Sequence, residues 1–425
     1  MCAMKTIILA AGRSRRLKPV ADKNFLRFAG KYLLEHQLEM MQQTGLEDFI
    51  LVAGKHNLEQ TQKLAEKFQA KVVEQKDLDQ GMAGAILAAE PEVNGEPVLI
   101  VNGGDVLGQS AYEKITQTGD ADAYILAYKV DSYFPGGYLE LDGNRITNII
   151  EKPGEGNEPS DCINLVLHLH KDSNKLFETL KATNSESDDI YEVALAKLMK
   201  EQNIEAVHYD GPWRPIKFPW HILDLMEFSF TMMGSRIDES AEIADSAIIK
   251  GDVVIEAGVK VFDNAVIQGP AYIGKNSVVA TNALVRNSML GENCVVGFGT
   301  EIARAFIGDD CWFHSNYIGD TVMGNNNSFG AGAVCANLRL DEKEIKESGR
   351  NKLGPIFGDN IRVGVNTSIM PGIKIGSNTM ITSGLVIAED IEEGKFVSGK
   401  TELTIKENTA KLDQSSREEM KDKLK

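Results

Sequence analysis

The second half of the chain carries aliphatic side chains at every sixth position. From Ile237 onward, nine consecutive positions of this spacing are aliphatic and mostly β-branched. A period of six matches neither a helix, with about 3.6 residues per turn, nor the alternation of a free strand. It is typical of a parallel β-helix, in which each hexad forms one side of a triangular coil and its aliphatic side chain points inward. The register slips by one residue near Leu290 and again near Ile307, and the pattern returns from Phe357 to Ile387 after an interruption.

A glycine often follows the inward residue of a hexad, as at Gly274, Gly364 and Gly376. We expect these glycines at corners that need unusual backbone dihedrals. The alternative to a β-helix is a run of ordinary β-hairpins, which nine successive matches disfavour. The polar stretch at residues 336–355 breaks the hexads and is predicted to be a loop that projects from one coil.

The first half alternates short apolar runs with helical patterns. The predicted strands are residues 5–11, 49–53, 72–74 and 98–101, and the predicted helices are residues 33–43, 56–68 and 81–89. Further strands are predicted at residues 124–128, 138–141 and 146–150, and further helices at 188–200 and 222–233. This order predicts a doubly wound, mainly parallel sheet, whose ligands bind at the carboxyl ends of the strands. The loops that begin at Gly12 and Gly103 both lie at that edge.

Composition places the chain among ordinary globular proteins of two or three domains, with 425 residues, 43% of them hydrophobic and 25% charged. The net charge of -17 argues against a nucleic-acid partner or an anionic membrane surface. No apolar run approaches the roughly 18 residues of a membrane span, and the N-terminus lacks a signal pattern. The five cysteines are scattered without a CxxC pair, so we expect reduced thiols, a cytoplasmic location and no structural zinc.

The loop after the first strand concentrates positive charge. Five cations lie within eleven positions after Gly12, namely Arg13, Arg15, Arg16, Lys18 and Lys23. Backbone N–H groups and guanidinium groups in such a loop can hold phosphates, although a solvated basic turn remains the alternative. Asp105 ends a strand after two glycines and can present a carboxylate to Mg²⁺ bound to substrate phosphates, a signal that many α/β proteins share.

Together these segments resemble the sugar-phosphate nucleotidyltransferases over about residues 4–233. The resemblance rests on Leu9-Ala10-Ala11-Gly12, Arg16-Leu17, Pro19, Lys23, Gly81-Met82-Ala83, Gly104-Asp105, Glu151-Lys152-Pro153 and Pro219-Trp220. It implies that a sugar 1-phosphate oxygen attacks the α-phosphate of a nucleoside triphosphate and that pyrophosphate leaves. The resemblance implies that Arg16 and Lys23, beside Gly12, neutralise the phosphates and that Asp105 binds Mg²⁺. It implies that the base lies close to Gly81 and is recognised by Gln75 or Gln80. The implied sugar-binding residues are Gly137, Glu151 and Asn164.

Three departures from this family pattern stand out. The family's Gly-x-Gly-Thr is replaced by Gly12-Arg13-Ser14-Arg15, and the segment from Pro19 to Lys23 is shorter than usual. The position of the second metal carboxylate corresponds to Pro215. This loss weakens Mg²⁺ binding or transfers the task to Lys217, a fixed cation.

The β-helix also resembles a family, over roughly residues 237–390. The motifs are His314-Ser315-Asn316-Tyr317, Gly330-Ala331-Gly332, Asn337 and the stretch from Ser348 to Gly354. They are similar to the acetyltransferase half of the bifunctional glucosamine-1-phosphate acetyltransferases / N-acetylglucosamine-1-phosphate uridylyltransferases, of the archaeal type. The resemblance implies a left-handed hexapeptide-repeat β-helix, acetyl-CoA as co-substrate, and a homotrimer with acetyl sites between neighbouring chains.

Acetyl transfer to an amino sugar requires a base, because the amine is mostly protonated near neutral pH. A histidine has a suitable pKa, and His314 is the only histidine in the β-helix. The resemblance implies that Tyr317 and Asn337 bind the sugar phosphate or the developing oxyanion. Arg286 and Arg304 are candidates for phosphate binding, and Arg350 and Lys352 on the projecting loop are either ligands of coenzyme A phosphates or solvated. A surface histidine at a coil corner is the structural alternative for His314.

The sequence therefore predicts an α/β Rossmann-like nucleotidyltransferase domain over residues 1–235, a left-handed parallel β-helix acyltransferase domain over 236–400 and a charged tail over 401–425. The leading functional hypothesis is a bifunctional enzyme that acetylates glucosamine 1-phosphate and transfers uridylyl from UTP. The alternatives are a single-activity nucleotidyltransferase whose β-helix only oligomerises or regulates, and a non-catalytic scaffold like the nucleotidyltransferase-like subunits of a translation-initiation exchange factor. The preferred nucleobase and the epimer of the amino sugar stay open.

Overall fold

The first half of the chain forms a nine-stranded mixed sheet flanked by helices. The computed structural model describes residues 4–117, 119–185, 189–400 and 404–409. The strands are β1 Lys5–Leu9, β2 Arg27–Phe28, β3 Lys31–Tyr32, β4 Phe49–Ala53, β5 Lys71–Glu74, β6 Val98–Asn102, β7 Asp105–Leu107, β8 Ala123–Lys129, β9 Gly137–Asp142, β10 Arg145–Glu151, β11 Cys162–His170, β12 Ile204–Tyr209 and β13 Trp213–Pro215. The helices are α1 Leu33–Gln43, α2 Leu58–Phe68, α3 Gly81–Ala89, α4 Gln109–Thr116, α5 Ser173–Lys181, α6 Ile190–Glu201 and α7 His221–Met232.

The sheet order is β5-β4-β1-β6-β11-β8-β12-β10-β9. Its first four strands are parallel, as the sequence predicted. The sheet is mixed beyond β6, because β11 runs antiparallel to both β6 and β8. Two small pairs, β2 with β3 and β7 with β13, lie outside this sheet.

The pattern of β11 explains why the sequence analysis did not predict this central strand. Cys162–His170 is buried along almost its whole length, so it shows no clean polar alternation. Its two histidines, His168 and His170, are fully enclosed and both lie within hydrogen-bond distance of the Tyr191 hydroxyl, at 2.8 and 3.4 Å. Burial lowers the pKa of His168 to about 3 and that of His170 to about 4. Both rings are therefore neutral, and they serve the core of the fold.

The second half is a left-handed parallel β-helix with three faces. The first face contains Arg236–Ile237, Val253–Ile255, Ala271–Ile273, Met289–Leu290, Phe306–Ile307, Val322–Met323, Ile356–Phe357 and Lys374–Ile375. The second face contains Glu242–Ile243, Lys260–Val261, Val278–Val279, Val295–Val296, Trp312–Phe313, Ser328–Phe329, Arg362–Val363, Met380–Ile381 and Phe396–Val397. The third face contains Ile248–Lys250, Val266–Gln268, Leu284–Arg286, Glu301–Ala303, Tyr317–Gly319, Val334–Cys335, Ser368–Ile369 and Val386–Ile387.

Strand pairing on the first face confirms the register slips that the hexads predicted. Ile273 pairs with Leu290, which pairs with Ile307, which pairs with Met323. The next partner is Phe357, and the predicted projecting loop lies between the strands Val334–Cys335 and Ile356–Phe357. The inward side chains of all three faces form one buried apolar core, which is mainly aliphatic but includes the rings of Phe313, Phe329 and Phe357.

The glycines that follow the inward residues have a different role from the one expected. Gly274, Gly364 and Gly376 do not have positive φ angles. A Cβ added at any of them would lie 2.3–2.5 Å from the backbone of the next coil, so glycine is required there by close approach. The left-handed corners are instead occupied mainly by asparagines, which tolerate positive φ; they include Asn264, Asn276, Asn282, Asn293, Asn326, Asn360, Asn366 and Asn378.

The two halves share a buried apolar core. It joins the loop after β1 and helix α7 to the first face of the β-helix. Phe28 packs on Phe306 with ring centroids 5.1 Å apart, and Arg27 forms ion pairs with Glu292 and Asp309 at 2.9 and 3.6 Å. The junction is therefore a packed contact and not merely a linker.

The remaining expectations concern the cysteines, the termini and membrane spans. Cys162, Cys294, Cys311 and Cys335 are buried free thiols, in agreement with the sequence analysis. Most of the charged tail, and Cys2, lie outside the described residues. Within the described ranges, no helix is long and apolar enough to cross a membrane.

Candidate active sites

The first candidate site lies at the carboxyl ends of β1 and β6. These strands are parallel neighbours, so the loop from Gly12 and the loop at Gly103 meet at one edge of the sheet. Asn24 is buried between them and donates a hydrogen bond of 3.1 Å to the carbonyl oxygen of Ala10. The side chain of Lys23 crosses the Gly104 backbone, since a Cβ on Gly104 would lie 1.7 Å from the Lys23 Nζ. The structure therefore brings Lys23 beside Asp105.

The other cations of the first loop are arranged across the mouth of the site. Arg13 donates to the Asp79 carboxylate at 3.0 Å, and Arg15 lies 3.9 Å from it. Asp79 precedes Gly81, so this contact connects the loop after β1 to the start of α3. Arg16 is exposed on the same loop. The pairing with Asp79 was not predicted, because nothing in the local sequence connects positions so far apart.

Gln75 and Gln80 differ in environment. Gln75 is buried, and its Nε2 donates to the carbonyl oxygens of Asp77 and Gly81 at 3.0 and 2.9 Å, which fixes the turn before α3. Gln80 has an exposed side chain. Gly81 has φ of 57° and ψ of -141°, backbone angles that favour glycine at this turn.

The three predicted sugar-binding residues converge. Gly137 pairs with Glu151 across β9 and β10. A Cβ on Gly137 would lie 3.1 Å from the Asn164 Nδ2 and 3.2 Å from the Glu151 Oε2. The absence of that Cβ leaves room beside an amide and a carboxylate, a polar set suited to sugar hydroxyls. Glu151 is also paired with Lys152 at 2.6 Å.

Asp105 is half-exposed, and its Oδ2 accepts a hydrogen bond of 3.1 Å from the Asn102 Nδ2. Its partner across the β7–β13 pair is Pro215. A proline side chain has no ligand atom, so the pair offers a single carboxylate. One carboxylate together with substrate phosphates is a common way to hold Mg²⁺, so Asp105 fits such an ion.

Lys217 follows two residues after Pro215 and is half-buried. Burial lowers the pKa of Lys217 to about 8, with repulsion from Arg16 and Lys152 opposed by attraction to Asp105 and Glu151. Its surroundings therefore combine the charged groups of the first loop, β7 and β10.

The second candidate site lies on the β-helix. His314 is exposed at the corner between the second and third faces, and its ring lies 5.8 Å from that of the exposed Trp312. The imidazole is thus available to solvent rather than packed in the interior. Trp312 was not predicted from the sequence as a site residue. The strands of the β-helix are so short that the sequence pattern does not show which outward side chain lies next to the histidine.

Tyr317 and Asn337 are in contact on the third face, with the Asn337 Nδ2 donating to the Tyr317 hydroxyl at 3.1 Å. Asn337 also donates to Asp320, which holds Arg304 through two hydrogen bonds of 2.7 Å. A Cβ on Gly319 would lie 2.6 Å from the Tyr317 hydroxyl, so this glycine makes space for the pair.

The remaining predicted basic residues are dispersed. Arg286 is paired with Glu301 on the next coil at 2.7 Å. Lys352 is exposed on the projecting loop. Arg350 is not freely solvated, because its guanidinium is mostly buried and donates to Asp224 on α7. It joins the loop to the first half, a long-range contact with no local sequence signal.

Family comparisons match both halves. The family described as MobA-like NTP transferase domain matches residues 6–141, and the family described as GMPPB C-terminal domain matches residues 233–353. A bifunctional sugar-1-phosphate nucleotidylyltransferase/acetyltransferase of Sulfurisphaera tokodaii is 32% identical over 413 residues, covering 92% of this chain and 99% of the relative. The bifunctional protein GlmU of Methanocaldococcus jannaschii is 32% identical over 419 residues, covering 94% and 98%. That of Methanococcus maripaludis is 33% identical over 422 residues, covering 95% and 99%.

Proposed function

The chain belongs to the family of bifunctional sugar-1-phosphate nucleotidylyltransferases/acetyltransferases, and from this premise we propose the substrates and residues of its two reactions. The enzyme carries out acetyl transfer and nucleotidyl transfer on amino-sugar phosphates. Neither a single-activity enzyme nor a non-catalytic scaffold is favoured. We assign nucleotidyl transfer to residues 1–235 and acetyl transfer to residues 236–400, with residues 401–425 as a charged extension, in the cytoplasm where the thiols stay reduced.

In the acetyl reaction, His314 is the general base. It accepts a proton from the ammonium of glucosamine 1-phosphate, and the free amine attacks the thioester carbonyl of acetyl-CoA, so that coenzyme A leaves as its thiol. Tyr317 and Asn337 stabilise the oxyanion or hold the sugar phosphate, with Arg286 and Arg304 nearby and Lys352 toward coenzyme A. The single observation that carries this proposal is the exposed imidazole of His314 at a β-helix corner, three residues before Tyr317, whose hydroxyl accepts a hydrogen bond from Asn337.

A homotrimer completes this site. Within one chain, His314 precedes the strand Tyr317–Gly319 and the Arg304–Asp320 ion pair follows it, so they lie at opposite edges of one face. A neighbouring β-helix packed at the corner would bring a second set of groups to each imidazole. The exposed apolar side chains of Phe298, Trp312 and Val386 support such packing. Analytical ultracentrifugation tests it, with an expected mass of three times the 46.6 kDa chain and a monomer as the refuting result.

In the nucleotidyl reaction, a phosphate oxygen of the sugar 1-phosphate attacks the α-phosphorus of the nucleoside triphosphate. The bond from that phosphorus to the bridging oxygen breaks, and pyrophosphate leaves with the electron pair. Arg16 and Lys23 bind the phosphates beside Gly12, and Gly137, Glu151 and Asn164 bind the sugar. Gly81 lies against the base, and the exposed Gln80 is better disposed to recognise its edge than Gln75. Mg²⁺, held by Asp105 and the phosphates, would neutralise developing negative charge.

Two assays test the assignment on the full-length enzyme. Thiol release from acetyl-CoA is measured with glucosamine 1-phosphate and with its galacto epimer. Pyrophosphate release is measured with N-acetylglucosamine 1-phosphate and each of UTP, ATP, GTP, CTP and dTTP. We expect both activities, with UTP the best nucleotide. Absence of thiol release would refute the acetyl half, and absence of pyrophosphate release with every nucleotide would refute the nucleotidyl half.

A further inference from the structure

The segment that closes the nucleotidyl site replaces a negative group by a neutral one. β13 lies antiparallel to β7, and Pro215 is the direct partner of Asp105. Its pyrrolidine ring cannot bind a metal ion or a proton. The next side chain of this segment that can interact with substrate phosphates is Lys217, which carries the opposite charge from the carboxylate of the family pattern.

The ammonium of Lys217 is held in place from two sides. Its Nζ lies 3.6 Å from the centroid of the Phe134 ring and donates a hydrogen bond of 2.7 Å to the carbonyl oxygen of Pro135. Phe134 is in turn fixed by an edge contact with Trp213, at a centroid distance of 4.8 Å. Because the ring and the carbonyl both favour a cation, the lysine is oriented before any substrate binds.

The position of this anchor distinguishes the two substrates. Phe134 and Pro135 lead directly into Gly137, where the sugar-binding residues converge. Lys23, one of the cations assigned to the triphosphate, belongs instead to the loop after β1, and its side chain crosses Gly104. The charged and titratable groups that act on Lys217 are Asp105, Arg16, Glu151 and Lys152, and His221 at the start of α7.

We propose that Lys217 is a further catalytic residue, which binds the phosphate of the incoming sugar 1-phosphate and supplies the positive charge that a metal ion at a second carboxylate would supply. The inference rests on the nucleotidyl function proposed above. The step transfers no proton to or from Lys217: the sugar-phosphate oxygen forms the new bond to the α-phosphorus, the bond to the bridging oxygen breaks, and pyrophosphate leaves with the electron pair. The ammonium holds the attacking phosphate in line and reduces repulsion between two anions.

The variant Lys217→Gln tests the proposal in the full-length enzyme. Lys63→Gln, at an exposed position on α2, is the matched control. We expect Lys217→Gln to lower kcat for pyrophosphate release about 100-fold and to raise KM for N-acetylglucosamine 1-phosphate about tenfold. KM for the nucleotide and the rate of thiol release are expected to stay within about twofold. Lys217→Arg, which keeps the charge, is expected to recover at least about tenfold of the lost rate. Lys63→Gln is expected to match the unmodified enzyme.

A purely structural role would raise both KM values together and lower the unfolding temperature. Unchanged kcat and sugar-phosphate KM in Lys217→Gln would overturn the proposal, as would a loss confined to the nucleotide KM. Calorimetric titration with N-acetylglucosamine 1-phosphate gives a decision independent of turnover. If the unmodified enzyme and Lys217→Gln bind N-acetylglucosamine 1-phosphate with equal affinity, the proposed role of the lysine is refuted. An active enzyme with unchanged Lys217→Gln kinetics refutes the lysine alone, whereas an enzyme without nucleotidyl activity refutes the underlying function.

Binding of Mn²⁺ together with UTP is measured by electron paramagnetic resonance. Lys217→Gln is expected to bind Mn²⁺–UTP as the unmodified enzyme does, because the lysine contacts the other substrate. Adding Pro215→Asp to Lys217→Gln is expected to tighten Mn²⁺ binding at least about tenfold and to recover part of the turnover. Loss of Mn²⁺–UTP binding in Lys217→Gln, or no gain in Mn²⁺ affinity on adding Pro215→Asp, would contradict the proposed exchange of a metal charge for an ammonium.

Discussion

In the β-helix, the polar side chains on the third face are supported by partners on the adjacent coil, whereas the nucleotidyl site gathers its residues from strands far apart in the chain. Arg286 is held by Glu301 and Arg304 by Asp320, separations of 15 and 16 residues. By contrast, Asp105 faces Pro215 across β7 and β13. A repeating coil fixes its site through neighbours, so substitutions there can be compensated locally. The mixed sheet fixes its site through distant loops, and it is in this half that the family pattern has been altered.

His314→Ala should separate the two halves most strongly. Removing a general base typically costs about 10²–10⁴-fold, so thiol release should fall by about a thousandfold. Pyrophosphate release should be unchanged, because the nucleotidyl site shares none of its groups with the β-helix corner. Both rates are measured on one preparation, and His208→Ala, an exposed histidine on β12, is the control. Loss of both activities in His314→Ala would mean that the two sites are not independent.

Removing a core side chain from one coil should destabilise the β-helix selectively. Ile302 is fully buried, and Ile302→Ala should cost about 2–5 kcal/mol of unfolding free energy through the lost contacts and the cavity. The urea concentration at which half of the thiol release is lost should be lower in Ile302→Ala than in the unmodified enzyme. The corresponding midpoint for pyrophosphate release should shift less. Val334→Ala, at a partly exposed outward position, should change either midpoint little. Equal shifts of the two activities would show that the halves unfold together.

Mild acid should lower the stability of the nucleotidyl half before that of the β-helix, which is the reverse of the effect of Ile302→Ala. The unfolded chain protonates His168 and His170 below about pH 6.5, but burial keeps both rings neutral in the fold down to about pH 4. The unfolded state therefore binds more protons, and stability falls as the pH drops from 6.5 toward 4, by about 1.4 kcal/mol per pH unit for each histidine. Urea unfolding at pH 7 and pH 5 should show the loss in pyrophosphate release first. His170→Gln should flatten this dependence, and an unchanged slope would exclude the buried pair as its cause.

Gly104→Ala should give the smallest effect, and one on activity alone. The new methyl group would take the place of the Lys23 ammonium, which is the end of a flexible side chain and can move. We expect pyrophosphate release to fall about tenfold while the unfolding temperature and thiol release stay the same. A Gly234→Ala variant, at an exposed position with open space around the new methyl group and no positive φ, controls for a glycine substitution. A large drop in unfolding temperature for Gly104→Ala would indicate that the backbone, rather than the lysine, yields.

The sequence carried much more information about the β-helix than about the sheet. The hexads predicted the inward ladder and even its slips at Leu290 and Ile307, because each coil pairs with the next. They did not reveal that Gly274 is needed for close packing. In the sheet, β11 escaped prediction because a strand buried on both faces shows no alternation.

The candidate sites follow the same division. The convergence of Gly137, Glu151 and Asn164 was expected from a family resemblance, since no spacing rule connects them. The contacts of Arg350 with Asp224, and of Lys217 with Phe134, depend on how distant segments fold back. Such pairings are set by tertiary packing, and a single sequence contains no local signal for them.

Phe28 packs against Phe306 within a buried core that the two catalytic units share, so the units are not separate bodies joined by a flexible linker. An acetylated sugar phosphate made on the β-helix therefore cannot be delivered by a swinging domain. It must leave into bulk water and enter the second pocket by diffusion. The order of the two steps is then kept by chemical selectivity at each pocket, and an unrelated enzyme that consumes the intermediate can intercept it.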